Sequence, residues 1–75
     1  MNESRRAQLS ANMLACSYTV KKLLMRIAEI EGDTETSLDD RLSQIKKIKD
    51  EITKVGTEID SIKKEITLLN AYNVN

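Results

Sequence analysis

Hydrophobic residues recur in the N-terminal part of the chain at intervals that alternate between four and three positions. The residues are Leu9, Met13, Cys16, Val20, Leu23, Ile27 and Ile30. This spacing places the side chains on one face of an α-helix and is the heptad pattern of a coiled-coil seam. It predicts a first helix over about residues 3–31.

A second and more regular seam occupies the C-terminal half of the chain. It consists of Ile45, Ile48, Ile52, Val55, Ile59, Ile62, Ile66 and Leu69. Most of these residues are β-branched, which favours strands, but a strand alternates with a period of two and this segment does not. The period therefore predicts a second helix over about residues 38–72.

The segment at residues 32–37 predicts a turn between the two helices. Gly32 is expected to end the first helix in the left-handed conformation. Ser37, followed three positions later by Asp40, resembles a capping box in which Asp replaces Glu. The expected fold class is therefore all-α: a two-helix hairpin in one domain spanning residues 1–75, which assembles into a larger helical bundle. A single continuous helix is the alternative, because only one Gly and weak helix formers interrupt the pattern.

The two seams differ in length, and this predicts an apolar overhang. In the expected antiparallel register Leu9 lies opposite Ile59 and Cys16 lies opposite Ile52. The seam of the second helix then continues past its partner through Ile62, Ile66 and Leu69. Leaving this stripe in water forgoes several kcal/mol of burial, at about 25 cal/mol per Å². A second chain is expected to cover it.

Further apolar residues lie beside the first seam, and they suggest that the first helix touches more than one neighbour. They are Leu14, Tyr18, Leu24, Met25 and Ala28. Two helices cannot bury both stripes, whereas a bundle of four or more helices can. The expected protein interface therefore comprises the second seam (Ile45, Ile48, Ile52, Val55, Ile59, Ile62, Ile66 and Leu69) together with Leu14, Tyr18 and Met25.

Charges beside the second seam leave the direction of assembly open. Glu58 and Lys63 occupy flanking positions at which parallel chains would pair, and β-branched seam residues favour three or more strands. A self-assembling trimeric stalk is therefore one alternative, and antiparallel hairpins or a heteromeric bundle are the others. Gly56, in the middle of this helix, is either simply tolerated or marks the close approach of another helix.

Composition restricts the ways in which the fold can be stabilised. The chain has 75 residues and a mass of 8.5 kDa, with 12 Lys and Arg against 12 Asp and Glu. A domain of this size has a thin core, and disulfides, metals or oligomerisation usually supplement it. One Cys excludes an internal disulfide, and the absence of His with a single Cys argues against a zinc site. Association with another chain is therefore the remaining way to stabilise the fold.

The same composition argues against catalysis and against several binding functions. No His is present for acid–base chemistry, and Cys16 on the seam is expected to act as a small hydrophobe. No pattern for a metal, a cofactor or a phosphate loop occurs. A net charge of zero without interleaved aromatics argues against nucleic-acid binding, so a weak nucleic-acid-binding hairpin is kept only as an alternative.

No apolar run approaches the roughly 20 residues of a membrane span. The segment from Met13 to Cys16 resembles the end of a lipoprotein signal, but Gln8, Ser10 and Asn12 interrupt the apolar core that such a signal needs. A cytoplasmic location is expected. The expected function is that of a non-enzymatic interaction protein: a coiled-coil structural or adaptor subunit or a small helical chaperone, which binds itself or another helical protein.

Overall fold

The structure, a computed structural model, describes residues 2–72 and the side chains of residues 3–72. Within this range the chain forms two helices, α1 over Asn2–Gly32 and α2 over Leu38–Tyr72, and no strand. The helices pack against each other as an all-α hairpin. The expected hairpin is thereby confirmed, and the continuous helix is excluded.

The turn is held by hydrogen bonds from short polar side chains. The Asp33 carboxylate accepts the backbone N–H of Glu35 at 3.1 Å and the hydroxyl of Thr36 at 2.6 Å. The Ser37 hydroxyl accepts the backbone N–H of Asp40 at 3.2 Å, which is the N-cap bond that the sequence predicts. This last bond satisfies a backbone donor that the start of α2 would otherwise leave unpaired.

Gly32 does not adopt the conformation that the sequence suggests. It is the last residue of α1, and no residue between 2 and 72 has a positive φ, so the expectation of a left-handed helix end was wrong. The last turn of α1 instead closes through the backbone N–H of Asp33, which donates to the Ile30 carbonyl at 3.2 Å. Arg41 Nη1 donates to the Glu31 carbonyl at 3.3 Å. A cation from α2 thus satisfies the negative end of α1.

The core is a narrow strip between the helices. Within the described chain the buried hydrophobic residues are Leu9, Ile30, Ile45 and Ile48. Three of them, Ile30, Ile45 and Ile48, form a cluster beside the turn, on which Leu23, Ile27 and Ile52 also pack. Leu9 is 2% exposed near the opposite end of the hairpin. The described Cα atoms extend over 59 × 14 × 13 Å, so the hairpin is long and thin and each helix retains a solvent side.

The register differs from the expected one. Cys16 contacts Glu58, six positions further along α2 than the expected Ile52. Arg5 forms an ion pair with Glu65, two positions beyond the residue expected opposite it. A seam that repeats every heptad retains apolar contacts when one helix slides by a repeat, so periodicity alone does not select the register.

The expected overhang of α2 is absent in this register. The N-terminal turns of α1 continue past Leu9 and lie beside the end of α2, where Arg5 meets Glu65. The residues expected to overhang are half-buried within the chain itself: Ile62, Ile66 and Leu69. Leu38, expected opposite Ile30, is instead 60% exposed.

Candidate functional site

A second heptad stripe runs along α1 on the side that faces away from α2. We call it the outer face, and it comprises Ala7, Ala11, Leu14, Tyr18, Lys21, Met25 and Ala28. The direction in which these side chains point follows from the rotation per residue of the helix. Tyr18 lies two residues from Cys16 and two from Val20, and two residues turn an α-helix by about 200°. Tyr18 therefore points away from the seam that packs on α2.

The other residues of the stripe have the same helical geometry. Met25 lies midway between Leu23 and Ile27, and Ala11 lies midway between Leu9 and Met13. Tyr18 and Met25 were expected beside the first seam, whereas the structure places them opposite it. A helix with apolar stripes on two opposite sides can pack on one helix and still offer the other stripe to a further helix.

Every side chain of the outer face is exposed. The three largest apolar side chains are markedly so: Leu14 is 74% exposed, Tyr18 60% and Met25 56%. Single exposed hydrophobic residues are normal on protein surfaces, but a contiguous stripe marks an interaction surface. The small residues Ala7, Ala11 and Ala28 at its ends would let another helix approach closely.

The charges around the outer face are unevenly distributed. Residues 4–28 contain five bases and no acid. Arg5 is paired with Glu65 of α2, and Arg26 is paired with Glu29 at 3.1 Å. The Arg6 side chain is half-buried, with its Nε shielded from solvent.

The two remaining bases belong to the outer face and its edge. Lys21 lies in the stripe, and Lys22 lies next to it, with Nζ 5.0 Å from the centre of the Tyr18 ring. Within the described residues neither lysine forms an ion pair. The outer face is therefore apolar and carries uncompensated positive charge.

A shallow groove of about 450 Å³ lies between the helices, near the middle of the hairpin. Its lining consists of Asn12, Ala15, Cys16, Thr57, Glu58, Ser61 and Ile62. The Cys16 thiol donates a hydrogen bond to Glu58 Oε2 at 3.7 Å. Partial burial, together with the charge and hydrogen bond of Glu58, raises the pKa of this thiol. A protonated thiol is a weak nucleophile, so the groove lacks the activated sulfur that cysteine chemistry needs.

Glu58, which would pair with Lys63 of a neighbouring chain in the parallel alternative, lies beside Cys16 of its own α1. Gly56 is nearby, half-buried on α2. Among the described residues no atom lies within 4 Å of the place where a Cβ on Gly56 would sit, so α1 does not approach it closely.

The residues expected at the protein interface fall into two groups. The α2 seam faces α1: Ile45 and Ile48 are buried there, and Ile52, Val55, Ile59, Ile62, Ile66 and Leu69 are half-buried. Leu14, Tyr18 and Met25 are the members that face solvent. The expected interface did not include Ala7, Ala11 or Lys21, although the sequence contains a second alternation of three and four positions, offset by two from the first.

In the part of the chain that the structure describes, no group of three or more His, Cys, Asp or Glu side chains is arranged to hold a metal ion. Neither α1 nor α2 is long and apolar enough to cross a membrane. No family model matches the chain, and comparisons with curated proteins and with solved structures found no match either.

Proposed function

We propose that this protein is a non-enzymatic interaction module that binds a partner helix on the outer face of α1. The observation that carries the proposal is the exposure of Leu14, Tyr18 and Met25 on the side of α1 opposite α2. Covering such a stripe with another helix removes apolar area from water, at about 25 cal/mol per Å².

The heptad spacing of the outer face supports a helix as the form of the partner. Side chains three and four residues apart make the ridges and holes into which the residues of a second helix fit. This mode of recognition suits an adaptor subunit or a small helical chaperone, because both act by covering or presenting helices. In this arrangement α2 has a supporting role, since its seam holds α1 in place.

Site-specific photo-cross-linking in the cell that naturally expresses the protein tests this proposal. A benzophenone amino acid replaces Tyr18 in one variant of the full chain and Lys47, on the solvent side of α2, in a control variant. We expect a discrete cross-linked product from position 18, identifiable by peptide sequencing, and none from position 47. Serine at both Leu14 and Met25 should abolish the product. Equal products at both positions, or none at either, would overturn the proposal.

A further inference from the structure

We infer that the partner on the outer face is an acidic amphipathic helix, whose apolar stripe is accompanied by carboxylates that meet Lys21 and Lys22. This inference rests on the proposed function and adds the chemistry of the partner. Its basis is the charge of the face. Of the five bases in the acid-free segment at residues 4–28, Arg5 and Arg26 are in ion pairs and Arg6 is half-buried, so Lys21 and Lys22 are the exposed bases without an ion pair among the described residues.

Of the two lysines, Lys21 gives more information about the partner, because of its position. It occupies a stripe position between Tyr18 and Met25, each a neighbour on the same side of α1. A partner helix that covers Tyr18 and Met25 also removes water from the Lys21 ammonium group. Leaving a cation unpaired in an interface is costly, so the partner must place an acceptor opposite it, and a carboxylate is the strongest one.

Charge complementarity therefore argues against a second copy of the same face. Two such faces would bring four lysines together without one carboxylate from residues 4–28 of either chain. Like charges placed together across an interface are unfavourable and exclude wrong partners. An acidic helix relieves this repulsion and gains attraction instead.

An anionic membrane surface is the other source of negative charge, and the geometry disfavours it. Helices that lie on membranes keep their bases on the polar side and insert the apolar side below the headgroups. Here α2 covers one side of α1, and Lys21 lies in the middle of the apolar stripe that would have to insert. Insertion of the stripe would carry the ammonium group toward the acyl chains.

The test uses the full chain and three synthetic helical peptides of about four heptads. The peptides share one aliphatic seam and differ only at one central seam position and its flanking positions, which are Glu in the acidic probe, Gln in the neutral probe and Lys in the basic probe. Binding is measured by fluorescence anisotropy. We expect the acidic probe to bind about tenfold more tightly than the neutral probe, and the basic probe most weakly. The advantage of the acidic probe should decrease as salt is added, because the charges lie near the surface.

Paired charge reversals provide the control. Changing Lys21 and Lys22 to Glu should invert the order of the three probes. The same change at Lys46 and Lys47, on the exposed side of α2, should leave the order intact. Because all four lysines are exposed, neither variant should lose helicity, and circular dichroism verifies this.

The remaining outcomes separate this inference from the proposed function. Equal binding of all three probes, lost when Leu14 and Met25 become Ser, would overturn the acidic partner and leave the interaction module standing. Self-association of the chain through the outer face would also overturn the acidic partner and leave the interaction module standing. Sedimentation would detect it, and it would be lost when Leu14 and Met25 become Ser. Tighter binding to phosphatidylserine vesicles than to the acidic probe would overturn the helical partner. Failure to bind any probe would overturn the inference, and the cross-linking result would then decide the proposed function.

Discussion

At the scale of single residues, Asp33 organises the turn. Its carboxylate accepts hydrogen bonds from the Thr36 hydroxyl and from the Glu35 backbone, and Arg41 adds an attractive charge. The bond from Thr36, the bond from Glu35 and the charge of Arg41 together lower the pKa of Asp33 below its ordinary value. The ionised form is therefore the form that the fold stabilises.

A lowered pKa in the folded state makes stability depend on pH in a defined direction. The contribution of Asp33 is present above its ordinary pKa of 3.8 and is lost as the pH falls through the lower folded value. We expect Asp33→Asn to lower the melting temperature at pH 7 and to weaken the loss of stability in acid. Thermal melts at pH 7 and below pH 3.8 measure this effect. Glu35→Gln is the control, because Glu35 contributes only its backbone N–H to this network. An equal effect of both variants would contradict the role of Asp33.

Gly56 gives a second test at this scale. It lies inside α2 without a positive φ, and space is open around the site of a Cβ among the described residues. Gly56→Ala should therefore stabilise the hairpin by up to ~1 kcal/mol, because Ala restricts the unfolded chain and favours the helix. Urea denaturation measures the change. A decrease in stability would contradict this and show that a helix of another chain approaches Gly56 closely.

At the scale of the elements, the start of α2 depends on one side chain. Ser37 is the N-cap, and its hydroxyl accepts the Asp40 N–H at 3.2 Å. Ser37→Ala should cost about 1 kcal/mol of stability, because the donor loses its protein partner. Ser43→Ala provides a matched control inside α2, where the same change removes no cap and improves helix propensity. Melting temperatures should fall for the first variant and remain equal or rise for the second.

The end of α1 relies on the other helix. Arg41 donates to the Glu31 carbonyl at 3.3 Å and places a cation at the negative end of α1. The residues that stabilise the end of α1 and the start of α2 thus lie within a few positions of the turn. This arrangement explains why the hairpin needs no left-handed glycine at Gly32.

At the scale of the whole molecule, the two stripes of α1 have different roles. Leu9 on the inner seam is 2% exposed, whereas Leu14 on the outer face is 74% exposed. Leu9→Ala should destabilise the isolated hairpin by about 2–3 kcal/mol, because it leaves a cavity between the helices. Leu14→Ala should change the stability by less than about 0.5 kcal/mol. Chemical denaturation of dilute protein checks both values, and equal effects would contradict the register described here.

Sequence by itself determined the secondary structure and the topology of this protein. The alternation of three and four residues defines both seams, and Ser37 with Asp40 marks the start of α2, because these signals act within a few residues of one another. The expected helices, 3–31 and 38–72, differ from Asn2–Gly32 and Leu38–Tyr72 only at the ends of the first.

Only the tertiary structure decided which parts of the two helices meet. A seam of repeated Ile residues satisfies several registers equally, and the contact between Cys16 and Glu58 shows that the one adopted differs from the expected one. That register removed the overhang at Ile66. The sequence already predicted that the first seam of α1 packs on α2, but the offset between the helices depends on packing along their whole length, which local periodicity does not encode.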